Sequence, residues 1–154
     1  MKQIISVSLV VIAAALLIAN RATDGATGQR RYIVLPRPGN LSQVPFSHGL
    51  LVGDTLYISG TLGLDNKSGK PPADVEQEAH QVLDGIQSVL KEANMTPDDL
   101  VSVTVYCTDL SQYDKFNSVY RTYFKKDFPA RAFIGAGSLL FGARFEVQAI
   151  AIRR

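Results

Sequence analysis

Few side chains in this sequence combine a reactive type with a telling position. Arg131 stands in Phe128-Pro129-Ala130-Arg131-Ala132-Phe133, at the mouth of an apolar run. Glu146 stands near the start of the next one, Phe145-Glu146-Val147-Gln148-Ala149-Ile150-Ala151. An arginine held at a strand end offers a rigid, permanently charged fork for a carboxylate or phosphate. A surface arginine or an intersubunit salt bridge fits the same spacing equally well. A glutamate in partly apolar surroundings can have a raised pKa and move protons, and it can equally be the structural partner of Arg131. Neither residue alone specifies a reaction.

The remaining candidates are weaker. Cys107 is the only cysteine, which excludes an intrachain disulfide and a cysteine-rich metal site. It falls on the inner side of an alternating run, where a packed thiol is the reading. His48 and His80 lie far apart and outside any metal-ligand spacing. His48 adjoins Ser47 with no acidic partner in view for nucleophilic chemistry, while His80 reads as solvated on a helix flank. Arg144 follows Gly142-Ala143 and reads as a solvated turn residue. Asn117, near the start of a helix, either orients a neighbour or is surface. The formal net charge of +2, without a basic stripe, argues against nucleic acid. Nothing in these residues demands a cofactor.

The elements that must position the candidates follow from periodicity. Tyr32 to Leu35 reads as a short strand closed by Pro36 and Pro38. Leu50 to Val52 and Thr55 to Ser59 flank Gly53-Asp54, a hairpin signal. Asp74 caps a helix whose apolar face is Val75, Ala79, Val82, Ile86, Val89, Leu90 and Ala93, ended by Asn94 and Pro97. Val101, Val103, Val105 and Cys107 alternate with polar residues, as on a strand with one face in the core. Ser111 opens a second helix with Phe116, Val119, Tyr120, Tyr123 and Phe124 on its apolar face. Strands over Ala132 to Gly137 and Phe145 to Ile152 complete the order.

This succession predicts an α+β two-layer domain, with helices on one face of a mixed sheet. The other face, carrying Phe133, Ile150 and Ile152, needs cover, so self-association is expected.

The amino terminus is a separate matter. Ile4 to Ala19 runs apolar except for Ser6 and Ser8, after Lys2. That is the basic-then-apolar pattern of a secretory signal, short for a span needing about 20 residues. We expect residues 1–26 to be a leader and 27–154 one domain, exported to a periplasm or secreted. Arg21, Arg30 and Arg31 also fit an uncleaved anchor, the one reading in which a membrane is a partner. Asn40-Leu41-Ser42, Asn66-Lys67-Ser68 and Asn94-Met95-Thr96 match the glycosylation sequon, of use only in a eukaryotic secretory pathway.

From about Pro45 to its end the chain resembles the RidA/YjgF/UK114 family of imine deaminases. The resemblance rests on Pro45-Phe46-Ser47-His48, Val52 to Gly60, Asn117-Ser118-Val119-Tyr120, Phe128 to Ala132 and Glu146 to Ala151. It implies a chorismate-mutase-like fold, two helices on a mixed six-stranded sheet, assembled as a homotrimer with clefts between neighbouring subunits. It implies hydrolysis of 2-imino acids to 2-keto acids and ammonia without cofactor or metal. Arg131 would hold the substrate carboxylate and Glu146 would help position the attacking water. Phe46, Ser59, Gly60, Phe133 and Asn117 would line the cleft. The chain departs from the family pattern at Phe46, where tyrosine is usual, and at His48 and Thr61, where glutamine is common. It departs again at Gln148, usually acidic, and around Leu140-Phe141, where proline is usual. These changes alter the polarity of the cleft. A family member that binds small carboxylates without turning them over, or acts as a chaperone-like protein, is the competing expectation.

Overall fold

The computed structural model describes residues 29–36 and 44–154. The leader assigned to residues 1–26 and the sequon at Asn40 lie outside the described residues. Among the described residues no helix is long and apolar enough to cross a membrane.

Six strands and two helices alternate along the chain: β1 Arg30–Ile33, β2 Gly49–Val52, β3 Thr55–Leu62, α1 Val75–Glu92, β4 Leu100–Cys107, α2 Tyr113–Arg121, β5 Ala130–Gly135 and β6 Phe145–Ile152. The sheet order is β1-β2-β3-β6-β4-β5. All pairings are antiparallel except β4 with β5, the pair joined through α2. The α+β, two-layer mixed sheet is therefore as expected.

Helix α1 forms where the apolar stripe predicts it. The Asp74 carboxylate accepts from the backbone N–H groups of Glu76 and Gln77, satisfying two orphan donors of the first turn. At the other end Met95 N–H returns to the Leu90 carbonyl and Asn94 N–H to Lys91, with Asn94 left-handed at φ 56°. This is a Schellman closure with asparagine in the place glycine usually takes. The buried stripe of Ala79, Val82, Ile86, Val89 and Leu90 covers β3 and β6.

Helix α2 differs from the expectation. Ser111 does not cap it: a 3₁₀ turn over Leu110–Gln112 precedes the helix proper, and that turn is capped by Asp109, whose carboxylate accepts from Ser111 N–H. Phe116, fully buried, joins α2 to the sheet through rings of Phe145 and Phe133 at 4.9 and 5.5 Å.

Two irregularities decide which way strand residues face. In β4 the pairing with β6 slips between Leu100 and Ser102, so Leu100 is buried and Val101, expected in the core, is exposed. In β3 it slips between Ile58 and Thr61, which turns Thr61 toward α1. A β-carbon on Gly85 would lie 2.6 Å from the Thr61 methyl, so glycine lets the helix come this close.

The open face of the sheet carries Tyr57, Gln148, Ile150 and Ile152. Tyr57 pairs directly with Ile150, and Tyr57 and Ile152 are about half exposed. Phe133, expected there, is on the opposite side. It faces the helices, with its ring edge-on to Tyr113 at 5.0 Å.

Candidate functional site

The site falls into two groups of residues, one on each side of the sheet. On the helix side, β5 presents Arg131 and, two residues on, Phe133. Helix α2 presents Tyr113, Asn117 and Tyr120, whose spacing of four and three places them on one face. The Arg131 guanidinium lies over the Tyr120 ring, 4.5 Å from its centroid, with Tyr113 and Phe133 at 5.9 and 5.7 Å. One Arg131 Nη donates to the Asn117 side-chain carbonyl at 2.7 Å.

No carboxylate of the described residues pairs with Arg131. The guanidinium is therefore oriented by an amide and aromatic faces, and its charge is left for an anion. It borders a cavity of about 200 Å³, also lined by Phe128, Pro129 and Asn117. Beneath it the Tyr120 hydroxyl is buried without a hydrogen-bond partner. Burial pushes this phenol up to about 12, against the opposing pull of Arg131.

On the open side, β6 presents Glu146 and β3 presents Ser59 and Gly60. The Glu146 carboxylate lies against Gly60: a β-carbon there would come within 2.0 Å of its Oε1. Glu146 takes no hydrogen bond or ion pair among the described residues. Ser59 is held by two bonds to the preceding loop. Its hydroxyl donates to the Ser47 carbonyl at 2.6 Å, and its N–H donates to the His48 carbonyl at 3.0 Å. His48 accepts from Leu35 N–H through Nδ1, and its ring meets Phe46 edge-on at 6.0 Å. Phe46, Ser59, Gly60 and Glu146 therefore belong to one surface.

Strand register shows that the two groups cannot meet within one copy. Arg131 pairs with Val103, which is buried under the helices, whereas Glu146 pairs with Tyr106, three positions further along the same strand. Successive residues of a strand point to opposite faces. Within one copy the sheet thus stands between Arg131 and Glu146.

Two further expectations are corrected. Arg144 is not a solvated turn residue. Its Nε and backbone N–H donate to the fully buried Glu78 carboxylate at 2.6 Å each, and Phe145 N–H adds a third bond at 3.1 Å. The rest of its guanidinium donates to the carbonyls of Pro72, Ala73 and Asp74, just before α1. The signal was present in the sequence: Glu78 falls on the apolar stripe between Val75 and Val82, where a carboxylate requires a partner. His80 is exposed but not merely solvated, since its Nδ1 lies 3.1 Å from the Tyr123 hydroxyl.

Cys107 is buried as read. Its thiol donates to the Asp109 carbonyl, and burial raises its pKa. Among the described residues no group of three or more His, Cys, Asp or Glu is placed to hold a metal ion.

Comparison with known proteins gives a consistent picture. The family described as endoribonuclease L-PSP matches residues 39–153. The 2-iminobutanoate/2-iminopropanoate deaminase of Bos taurus is 41% identical over 110 residues, covering 71% of this chain and 80% of that protein. The protein of the same name from Escherichia coli is 32% identical over 113 residues, covering 71% and 88%. Among solved structures, the YjgF gene product of E. coli superposes with a TM-score of 0.73 at 30% identity, covering 80% of this chain and 99% of that one. E. coli TdcF with bound serine superposes with 0.73 at 26% identity, covering 80% and 100%.

Proposed function

The chain belongs to the RidA/YjgF family, matched as endoribonuclease L-PSP, and from that premise we propose that it is a RidA-type imine deaminase. It hydrolyses 2-imino acids to 2-keto acids and ammonia, in a cleft made by two copies of the chain. The observation that carries this reading is an uncompensated guanidinium, preset by Asn117 and Tyr120 at the edge of a cavity. Such a group suits the carboxylate of a small substrate. The names of the relatives supply the reaction class.

The chemistry asks little beyond positioning. Arg131 grips the carboxylate through its free N–H groups, which fixes C2 of the imine relative to the protein. Glu146, from the open face of a second copy, holds a water and accepts its proton as oxygen attacks C2. The imine nitrogen takes up a proton, and collapse of the resulting aminoalcohol expels ammonia and leaves the ketone. Ser59 and Gly60 line the side from which the water comes. Because the sheet separates Arg131 from Glu146 within one copy, a complete site needs the open face of one subunit against the helix-side edge of another. A closed ring of three copies supplies such contacts.

The test is to generate 2-iminopropanoate with an amino-acid oxidase and follow its disappearance, with Arg131→Ala as the control. The wild type is expected to exceed the spontaneous rate and the variant to lose at least about 100-fold in kcat/KM, as for a lost charge-assisted anchor. Equal rates for both proteins at the spontaneous level would overturn the reading. Carboxylate binding by calorimetry with no turnover would instead favour a binding protein.

A further inference from the structure

We infer that Arg121 is a second anion-binding residue of the Arg131 cavity and that the enzyme acts on 2-imino dicarboxylates. The inference rests on the reading of this site as an imino-acid deaminase and names its substrate class. Arg121 is the last residue of α2 and follows Tyr120, the ring on which Arg131 is stacked. It lines the same cavity of about 200 Å³ as Arg131, and no acidic side chain lines that cavity.

Among the described residues neither arginine has a carboxylate partner, and the Arg121 side chain makes no hydrogen bond. Two like charges bordering one cavity repel, and the repulsion is strongest when water is displaced from between them. A ligand with two negative groups removes that repulsion and neutralises both cations. A ligand with one negative group leaves Arg121, exposed at the end of α2, without an anion. Tyr113 also lines this cavity and gives it aromatic surface against which a short aliphatic chain can lie.

The charges of the completed cleft agree with this substrate class. In its reactive form the imine nitrogen is protonated and positive, and in the proposed two-copy cleft the Glu146 carboxylate would be its counter-ion. The two substrate carboxylates then stand opposite Arg131 and Arg121. Every formal charge of a 2-imino dicarboxylate has one partner. A 2-imino monocarboxylate leaves Arg121 over.

The experiment compares two keto acids that differ only at the far end, 2-oxoglutarate and 2-oxopentanoate, by calorimetry on the wild type, Arg121→Gln and Arg121→Lys. It then compares turnover of the corresponding imines, generated in situ from glutamate and norvaline. The wild type is expected to bind the dicarboxylate at least about tenfold more tightly. Arg121→Gln should abolish most of that preference and Arg121→Lys should retain part of it. In turnover the preference should appear mainly in KM.

Equal binding of the two keto acids by the wild type, or a preference unchanged in Arg121→Gln, would overturn the inference. A dicarboxylate preference in binding with no imine turnover would sustain the dianion site and defeat the deaminase reading. Turnover of both imines with no preference would do the reverse.

Discussion

At the scale of single residues, close approaches join hydrogen bonds in setting the two halves of the site. Glu146 rests where a side chain at position 60 would be, so Gly60 gives its carboxylate room rather than meeting a demand of backbone conformation. Gly60→Ala is expected to push the carboxylate aside, because the clash is at 2.0 Å with its Oε1. Steady-state kinetics should show kcat lowered by about tenfold or more with KM little changed, the pattern of a lost transition-state interaction.

On the other half, Tyr120 serves Arg131 through its ring face while its buried hydroxyl finds no partner. Its neutral form is favoured by burial, with a folded pKa of about 12 against the ordinary 10.0. A raised pKa means that the associated stability is complete below pH 10 and is lost as pH rises toward 12. Phenolate absorbance during alkaline titration should therefore show Tyr120 in a late class with Tyr123, whose pKa burial also raises, followed by its bond to Asp84. Tyr120→Phe should remove one tyrosine from that class.

At the scale of elements, the start of β6 is fastened to the start of α1 by Glu78 and Arg144. This places Glu146, two residues after Arg144, relative to the helix layer. Glu78→Ala would take from Arg144 its carboxylate partner and leave the backbone N–H groups of Arg144 and Phe145 without their acceptor. A loss of about 3 kcal/mol or more is expected from chemical denaturation. Pairing Glu78→Leu with Arg144→Met should recover part of it, since the paired change leaves no lone charge.

The sequence carried much of this scale. The stripe of α1 was legible because 3.6-residue periodicity survives any tertiary detail, and β6 was legible over its whole length because it alternates without interruption. Val101 and Phe133 were misassigned for definite reasons. A one-residue slip in β4 reverses the facing of whatever precedes it, and no residue type at Leu100 to Ser102 announces such a slip. Phe133 follows Arg131 by two, so it shares the arginine's side of the sheet. Which side that is depends on α2 packing over β5, a fact of tertiary structure. The chemistry-bearing residues could be named from the sequence, but their separation by the sheet could not.

At the scale of the whole molecule, that separation is the main consequence for activity. If each site takes its Arg131 half from one copy and its Glu146 half from another, two inactive variants can complement each other. Arg131→Ala and Glu146→Gln, refolded together in equal amounts, are expected to regain about one quarter of wild-type activity, the random chance that an interface receives both intact halves. Each variant alone should stay near the spontaneous rate, and the recovery is checked by the imine-disappearance assay. No recovery in a mixture shown to contain mixed oligomers would mean that the two groups do not combine in one site across an interface. The open face, with Tyr57, Ile150 and Ile152, is the apolar surface that such an assembly would cover.

The place of β6 in the sheet has a further consequence for how the molecule is made. It is the last strand in chain order, yet it lies between β3 and β4. The β1-β2-β3 ribbon and the β4-β5 pair share no ladder except through it. A chain still being synthesised therefore holds two disconnected pieces of sheet, each with a raw edge, until residues 145–152 have left the ribosome. Folding then closes in one late event that depends on contacts distant in sequence. Until β6 emerges, those edges remain open to mispairing.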